Sequence, residues 1–196
     1  MSDNETINIL GLSASLRKGS FATKALRNAV ELAPDNINLD LAELGSTPPK
    51  NIMADIPLYN EDERGDDFPA PVVELGKRVA QADALYISMS EYNHSMPGGF
   101  KNAIDWLSRL PDTPLTGKPF AIMSSSPGPM GGVRSQLSFR QTAVFLDMRP
   151  TFKPEVIIGF APKKYDDDGK LTDDMARDLI TKQLVALREY VLQLRD

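Results

Sequence analysis

Residues 7–32, INILGLSASLRKGSFATKALRNAVEL, carry the pattern that decides the fold. The segment opens as a short apolar run, 7–12, with the look of a buried strand. Small hydroxylated residues follow, and then Phe21, Ala25, Leu26, Ala29, Val30 and Leu32 fall mostly on one helical stripe over 20–32. Ser20 stands where a helix N-cap belongs. Strand, polar turn and helix are thus packed into 26 residues.

The same alternation continues along the chain. Residues 38–41 offer a second strand, followed by a long proline-punctuated loop over 42–69 with room for one helical turn. Loops of this length inside a compact domain are often functional or excursions at an edge. Helical spacing returns over 72–81, a buried strand over 84–88, and a helix over 96–107 with Ser95 as its expected cap and Pro97 in its first turn. A strand over 119–123, a helix over 133–146, a β-rich run over 155–160 and a closing helix over 172–194 complete the series. Five strands alternating with helices predict a doubly wound parallel sheet covered on both faces, in one domain spanning 1–196. In such sheets ligands bind beyond the carboxyl ends of strands, where strand order reverses.

Composition narrows the chemistry. The chain has 196 residues, 41% hydrophobic and 25% charged, as expected of a globular protein with one substantial core. It has no cysteine, which excludes disulfide scaffolds, thiol nucleophiles, iron–sulfur clusters and zinc ribbons. The single histidine, His94, speaks against a multi-histidine metal site. The net charge of −5 is concentrated in 61–67 and 166–174, which together hold ten acids and two bases, so the remainder is slightly basic. Both runs read as solvated turns; 166–174 lacks the twelve-residue spacing and terminal Glu of an EF-hand. No broad basic face interleaved with aromatics is present, so no nucleic-acid partner is expected. The polar opening residues lack a signal-peptide build, and no apolar run approaches the ~20 residues that span a bilayer, so no membrane partner and a cytoplasmic place are expected.

Three strand-end loops hold the candidate chemistry. After the first strand, Ser13, Ser15, Arg17, Gly19, Ser20 and Thr23 gather hydroxyls, a guanidinium and a helix N-terminus, a combination that favours an anion such as phosphate. An ordinary capped helix start with Arg17 and Lys18 on the surface uses the same residues. The loop is neither G-x-G-x-x-G nor G-x-x-x-x-G-K-[ST]. After the third strand, Ser88 through Ser95 place Tyr92, Asn93 and backbone donors together, which suits a flat heteroaromatic ligand. Glu91 here reads equally as support for a helix dipole or as half of a surface pair, and His94 reads as a turn or interface residue. Ile104 and Trp106 read as core. After the fourth strand, Ser124-Ser125-Ser126-Pro127-Gly128-Pro129-Met130-Gly131-Gly132 is small enough to let backbone approach a ligand, or is a plain loop.

In this order these loops resemble the NADPH-dependent FMN reductase family and, more narrowly, its chromate/quinone reductase branch. The first matches that family's G-S-x-R-x-x-S-x-N as 14–22. The second matches P-E-Y-N-x-S-x-P-G-x-x-K-N-A-I-D-W-x-S-R as 90–109, and the third leads into Gly131-Gly132-Val133-Arg134. Ala14, Ala22 and Ser90 depart from the family's glycine, asparagine and proline. The resemblance implies a flavodoxin-like three-layer α/β/α sandwich with a five-stranded parallel sheet. It implies that Ser15, Arg17 and Ser20 hold the FMN phosphate, with backbone help near Ala22. It further implies that Ser90, Glu91, Tyr92 and Asn93 contact the isoalloxazine, partly through backbone, and that Ser125, Ser126 and Gly128 line its other edge. NADPH or NADH would be co-substrate, and quinones, azo dyes, chromate or free flavin the small-molecule acceptors. Family members form homodimers or homotetramers with each flavin near a subunit boundary.

The residue chemistry agrees with a borrowed cofactor. With no cysteine and one histidine, the chain has few nucleophiles or bases of its own, and flavin supplies redox chemistry without a catalytic side chain. Two other readings use a similar sheet. A non-enzymatic flavodoxin-type carrier holds phosphate on a Ser/Thr-x-Thr-Gly-x-Thr loop, which is missing here. A signalling receiver needs acids after the first strand and an aspartate ending the third, where Ser13 and Ser88 stand nearby instead.

Overall fold

The computed structural model describes residues 5–44, 50–64 and 67–195, so the expectations that fall on 1–4, 45–49, 65–66 and 196 lie outside the described part. The sheet is parallel throughout. Strand β1 (Ile7–Ser13) pairs with β2 (Ile37–Leu41) on one side and β5 (Ala84–Met89) on the other; β5 pairs with β6 (Pro119–Ser125). Beyond β6 lie two short strands, β7 (Arg149–Pro150) and β8 (Val156–Ile158), in the order β2-β1-β5-β6 followed by β7 and β8. Helix α1 (Phe21–Leu32) and α5 (Asp174–Gln193) cover one face; α2 (Ala70–Gln81), α3 (Gly98–Leu107) and α4 (Val133–Phe145) cover the other.

Alternation along each strand builds two cores. Leu10, Leu12, Leu85, Ile87, Phe120 and Ile122 pack with Phe100, Trp106 and Phe139, whereas Ile9, Tyr86, Ala121 and Met123 pack with Leu26, Ile180, Leu184 and Leu187. This period of two is that of a pleated strand buried on both faces. Ile104 and Trp106 are core residues, as expected.

Three expectations are corrected. The last strand is not one run over 155–160. It is split: β7 lies beside Pro119 and Phe120, and β8 beside Met123–Ser125, so two strands fill the fifth position. Pro150 and Pro154 flank the break, and proline has no N–H with which to continue a ladder. Ser95 does not cap α3, whose N-cap is Pro97; Ser95 instead closes a turn described below. The stretch 42–69 also contains the antiparallel pair β3 (Glu43–Leu44) and β4 (Lys50–Asn51), with 3-10 turns at Ile52–Asp55 and Glu61–Glu63. Strands of two residues leave no periodicity to read. Two helices are capped by side chains: Ser20 Oγ accepts from Thr23 N at 3.3 Å at the start of α1, and Asp173 Oδ1 from Ala176 N at 2.9 Å at the start of α5.

At the amino edge of the sheet, Arg195 binds Asp83 at 2.6 Å and also Glu5, whose carbonyl accepts from Arg188 Nη2 at 2.8 Å. The end of α5 is thereby fastened beside the starts of β1 and β5.

Tyr86 is fully buried, and its hydroxyl has no hydrogen-bond partner among the described residues. Burial pushes its pKa far above the usual 10, and it pushes Tyr165 up to about 12. The unfolded chain ionises both phenols near pH 10 while the folded chain keeps them protonated. Their contribution is therefore complete below pH 10 and is lost as pH rises through 10 toward 12 and beyond. Replacing Tyr86 by Phe removes an unpaired buried hydroxyl. Urea unfolding at pH 7 should show Tyr86→Phe more stable by about 1–2 kcal/mol, with a shallower loss of stability above pH 10.

Candidate active site

Strand order reverses between β1 and β5. The chain leaves β1 toward β2, then crosses back to lay β5 on the other side. Connections that depart in opposite directions leave a crevice at the carboxyl ends. Register carries the three candidate loops to it together: Ser13 lies opposite Ser88, and Ser88 opposite Met123.

The first loop is a tight curl fixed by its own polar groups. Ala14 N donates to Ser88 O at 2.9 Å, so the chain leaves β1 alongside β5. Ser13 Oγ and Thr23 Oγ1 are 2.7 Å apart, Ser15 Oγ accepts from Arg17 N at 3.3 Å, and Ser20 N donates to Arg17 O at 3.2 Å. Ser88 Oγ donates to Ala22 O at 2.7 Å and seats the start of α1 on β5. Ser15 and Ser20 are buried, Arg17 and Lys18 exposed, and Arg17 makes no ion pair among the described residues. The amides of Phe21 and Ala22 stand in the first turn of α1, where a helix provides no carbonyl to receive them. Hydroxyls, free amides, a positive helix end and an uncommitted guanidinium make a donor set for a phosphate. Ala22 is fully buried, so its part in that set is its backbone.

The second loop begins with Ser90, whose hydroxyl is buried and has no partner among the described residues. Buried hydroxyls are ordinarily paired, so this atom fits a ligand that meets it. Tyr92 and Ser95 exchange backbone hydrogen bonds at 3.1 and 3.0 Å across Asn93 and His94, both left-handed with φ of 51° and 61°. Two left-handed residues in a two-residue turn are the I′ arrangement, which asparagine tolerates well. Asn93, His94 and the ring of Tyr92 are exposed at its tip. His94 is thus a turn residue. Glu91 points elsewhere: its Oε2 accepts from Arg134 N at 3.0 Å and Ser135 N at 3.3 Å, at the start of α4. Support for a helix dipole describes its carboxylate, and what Glu91 can offer a ring is backbone.

The third loop is laced to the loop after β8. Ser126 N donates to Ile158 O at 3.0 Å, Ala161 N to Ser126 O at 3.2 Å and Phe160 N to Gly128 O at 3.1 Å. Gly159 permits this approach, since a Cβ there would lie 2.5 Å from Pro129 O. Ser125 is buried with its hydroxyl 3.2 Å from that of Tyr165, whereas Ser126 is half-buried and Gly128 open to solvent. The first loop also meets the start of α3, because Leu16 Cδ1 lies close enough to Gly99 that a Cβ there would be 2.9 Å away.

Ser15, Ser20 and the Ala22 backbone therefore stand at one end of this edge, Ser90 to Asn93 beside them, and Ser126 and Gly128 beyond. Sequence reasoning missed three supports. Asn51 Nδ2 donates to Ser13 O at 2.8 Å and Ser15 O at 3.2 Å, bracing the first loop from β4. Gln136 Nε2 donates to Ser124 Oγ at 2.8 Å and Val156 O at 3.0 Å. Asn102 Nδ2 and Trp106 Nε1 each donate to Pro57 O at 2.8 Å, pinning the long 42–69 connection to α3. Asn102 falls inside the recognised motif; Asn51 lies in an irregular stretch with no local signal.

Comparison with known proteins agrees with this geometry. The family described as NADPH-dependent FMN reductase matches residues 7–163. The NAD(P)H-dependent FMN reductase of Pseudomonas aeruginosa is 46% identical over 195 residues, all of both chains. The quinone reductase of Escherichia coli K12 is 42% identical over 194 residues, 98% of this chain and 99% of that one. Among solved structures, the flavoenzyme NAD(P)H:(acceptor) oxidoreductase FerB of Paracoccus denitrificans superposes with a TM-score of 0.82 at 28% identity, covering 96% of this chain and 98% of that one.

Asn51→Ala removes the only side-chain brace described for the carbonyls of Ser13 and Ser15. We expect a loss of about 1–3 kcal/mol in denaturant unfolding, with faster amide exchange over residues 14–20 and at Met53, whose N–H Asn51 Oδ1 receives at 3.0 Å.

Proposed function

Because this chain belongs to the NADPH-dependent FMN reductase family, we propose that its three loops hold FMN and that it serves as an NAD(P)H-dependent FMN and quinone reductase. The observation that carries the reading is the first loop: the buried hydroxyls of Ser15 and Ser20, the first-turn amides of α1 and the exposed Arg17 stand in one short curl after β1, beside the strand-order reversal. In this reading Ser15, Arg17, Ser20 and the backbone at Ala22 grip the phosphate. Ser90, the backbone at Glu91, Tyr92 and Asn93 meet the isoalloxazine, with Ser125, Ser126 and Gly128 along its other edge. The departures from the family motif are accommodated: Ala14 keeps its backbone bond to Ser88, and Ser90 brings an unpaired hydroxyl where the family has a proline.

FMN, when bound, supplies the acceptance of electrons from NAD(P)H and their delivery to the acceptor. The chain's part is placement. In this reading the curl at 14–20 would fix the phosphate end, and the left-handed turn at Asn93 and His94, closed by the Tyr92–Ser95 backbone bonds, would present its polar tip to the ring. The exposed ring of Tyr92 offers an apolar face to a flat acceptor. No side chain at this edge is needed to take or give a proton. Quinones are the acceptor class we favour, with azo compounds, chromate and free flavin as further candidates.

The reading includes one flavodoxin-like domain over 1–196 and a homodimer or homotetramer. Helix α4 exposes Leu137, Val144 and Phe145, the last two by 81% and 85%, and Phe152 and Ile157 are exposed beside the outer strand. An apolar helix face beside an unpaired sheet edge is suited to a second copy of the chain. No helix among the described residues is long and apolar enough to cross a membrane. A cytoplasmic place, where reduced pyridine nucleotides are kept, completes the reading.

The purified protein should take up FMN and turn yellow, bleach anaerobically with NADPH or NADH, and recover its colour on addition of a quinone. A protein that takes up no FMN defeats the assignment; one that binds FMN but resists both nucleotides favours the electron carrier. Arg17→Ala should weaken FMN binding by about 1.5–3 kcal/mol in a fluorescence titration while leaving riboflavin binding unchanged. Phe145→Asp should lower the sedimentation coefficient toward that of a monomer.

A further inference from the structure

Helix α4 lacks a cap of its own. Its N-cap is Gly132, which has no side chain to offer, and the Ser135 hydroxyl turns back to donate to Gly132 O at 2.6 Å. The amides of Arg134 and Ser135 are met instead by Glu91, from 43 and 44 residues upstream. Ser135 N also donates to Gly132 O at 3.2 Å, so Arg134 N is the amide that depends on Glu91 alone among the described residues. A carboxylate at a helix start joins hydrogen bonding to a favourable dipole interaction. The Arg134 guanidinium adds little, since it is 3.7 Å from Glu91 Oε1 and two-fifths exposed.

The same segment meets α4 a second time. Ser95 Oγ lies 3.0 Å from Ser138 Oγ, one turn further along the helix. Between these contacts, Tyr92 and Ser95 close the left-handed turn over Asn93 and His94. Residues 91–95 thus form a clip with both feet on α4 and an exposed tip. The start of α4 is also the end of the third loop, so the clip sets the spacing between the second and third loops.

We propose that Glu91 is a positioning residue for the flavin ring: its carboxylate caps α4 across the site and thereby holds the two ring-binding loops at their working separation. The proposal rests on the FMN reading above and deepens it. Glu91 does not meet the ring through its carboxylate, because both oxygens face α4 and the side chain is only 13% exposed. The consequence is specific to one end of the ligand. The ring end depends on Glu91; the phosphate end, held by the first loop, does not.

Titration of the apoprotein with FMN and with riboflavin separates the two ends. Glu91→Ala should weaken both ligands by the same factor, at least tenfold, whereas Arg17→Ala should weaken FMN alone. Glu91→Gln keeps an oxygen that accepts, so both affinities should return to within threefold of wild type. Glu91→Asp, one methylene shorter, should give an intermediate loss of both and serves if the alanine variant does not fold. Amide exchange in the apoprotein reads the cap directly: Arg134 should exchange at least tenfold faster in Glu91→Ala and near the wild-type rate in Glu91→Gln, with a smaller rise at Ser135, whose amide keeps Gly132 O. Unchanged exchange at those amides overturns the proposal, as does a loss confined to FMN or an alanine variant that binds both flavins normally. Wild-type protein that binds neither flavin removes the FMN reading and the proposal with it; wild-type protein that binds both while Glu91→Ala is indistinguishable removes the proposal alone.

Discussion

The register that sets Ser13 beside Ser88 and Ser88 beside Met123 is the constraint on which the site depends. Parallel pairing makes every strand run the same way, so β1, β5 and β6 end at nearly one height and release their loops side by side. A slip of one residue in either pairing would turn the inward side chains of a strand to the opposite core. Leu10 and Leu12 oppose this on one face, Ile7 and Ile9 on the other. The cores therefore do more than stabilise the sheet: they align three polar loops, none of which has the apolar surface to find that place alone.

Much of this was legible in the chain. Alternation of short apolar runs with helical stripes gave the layers, and hydroxyls before a helix stripe marked Ser20 as a cap because that pairing spans three residues. What escaped was non-local or too short to have a period. β7 and β8 hold two and three residues, and nothing in 149–158 announces that they share one neighbour. Ser95 has the composition of a cap, but the left-handed pair before it makes closing the turn its stronger use. Asn51 and Gln136 act on carbonyls brought near only by the fold. The recognised motifs named candidate site residues while saying little about their division of labour. Glu91 stands in the most specific of those motifs, yet its carboxylate serves a helix that begins 42 residues later.

That division explains how a chain with no cysteine and one histidine can serve redox chemistry. Such a protein contributes a mould rather than reagents. Its investment shows in hydrogen bonds that never touch a ligand: Ser88 on Ala22, Asn51 on the first loop, Phe160 and Ala161 on the third. These fix backbone, and backbone then presents amides and carbonyls at fixed points. A cradle built of backbone is less sensitive to exchange of individual side chains than to a change of loop length. The approach of Gly159 to Pro129 leaves no room for even one added methyl group.

The fastening of Arg195 to Glu5 and Asp83 has a practical side. It gathers both described ends of the chain at the edge of the sheet opposite the mouth. An anchor attached beside Glu5 or Arg195 would set the molecule down with the candidate cofactor site turned away from the support. On an electrode or a bead, the protein would stand with that site toward the bulk liquid, free to exchange small molecules.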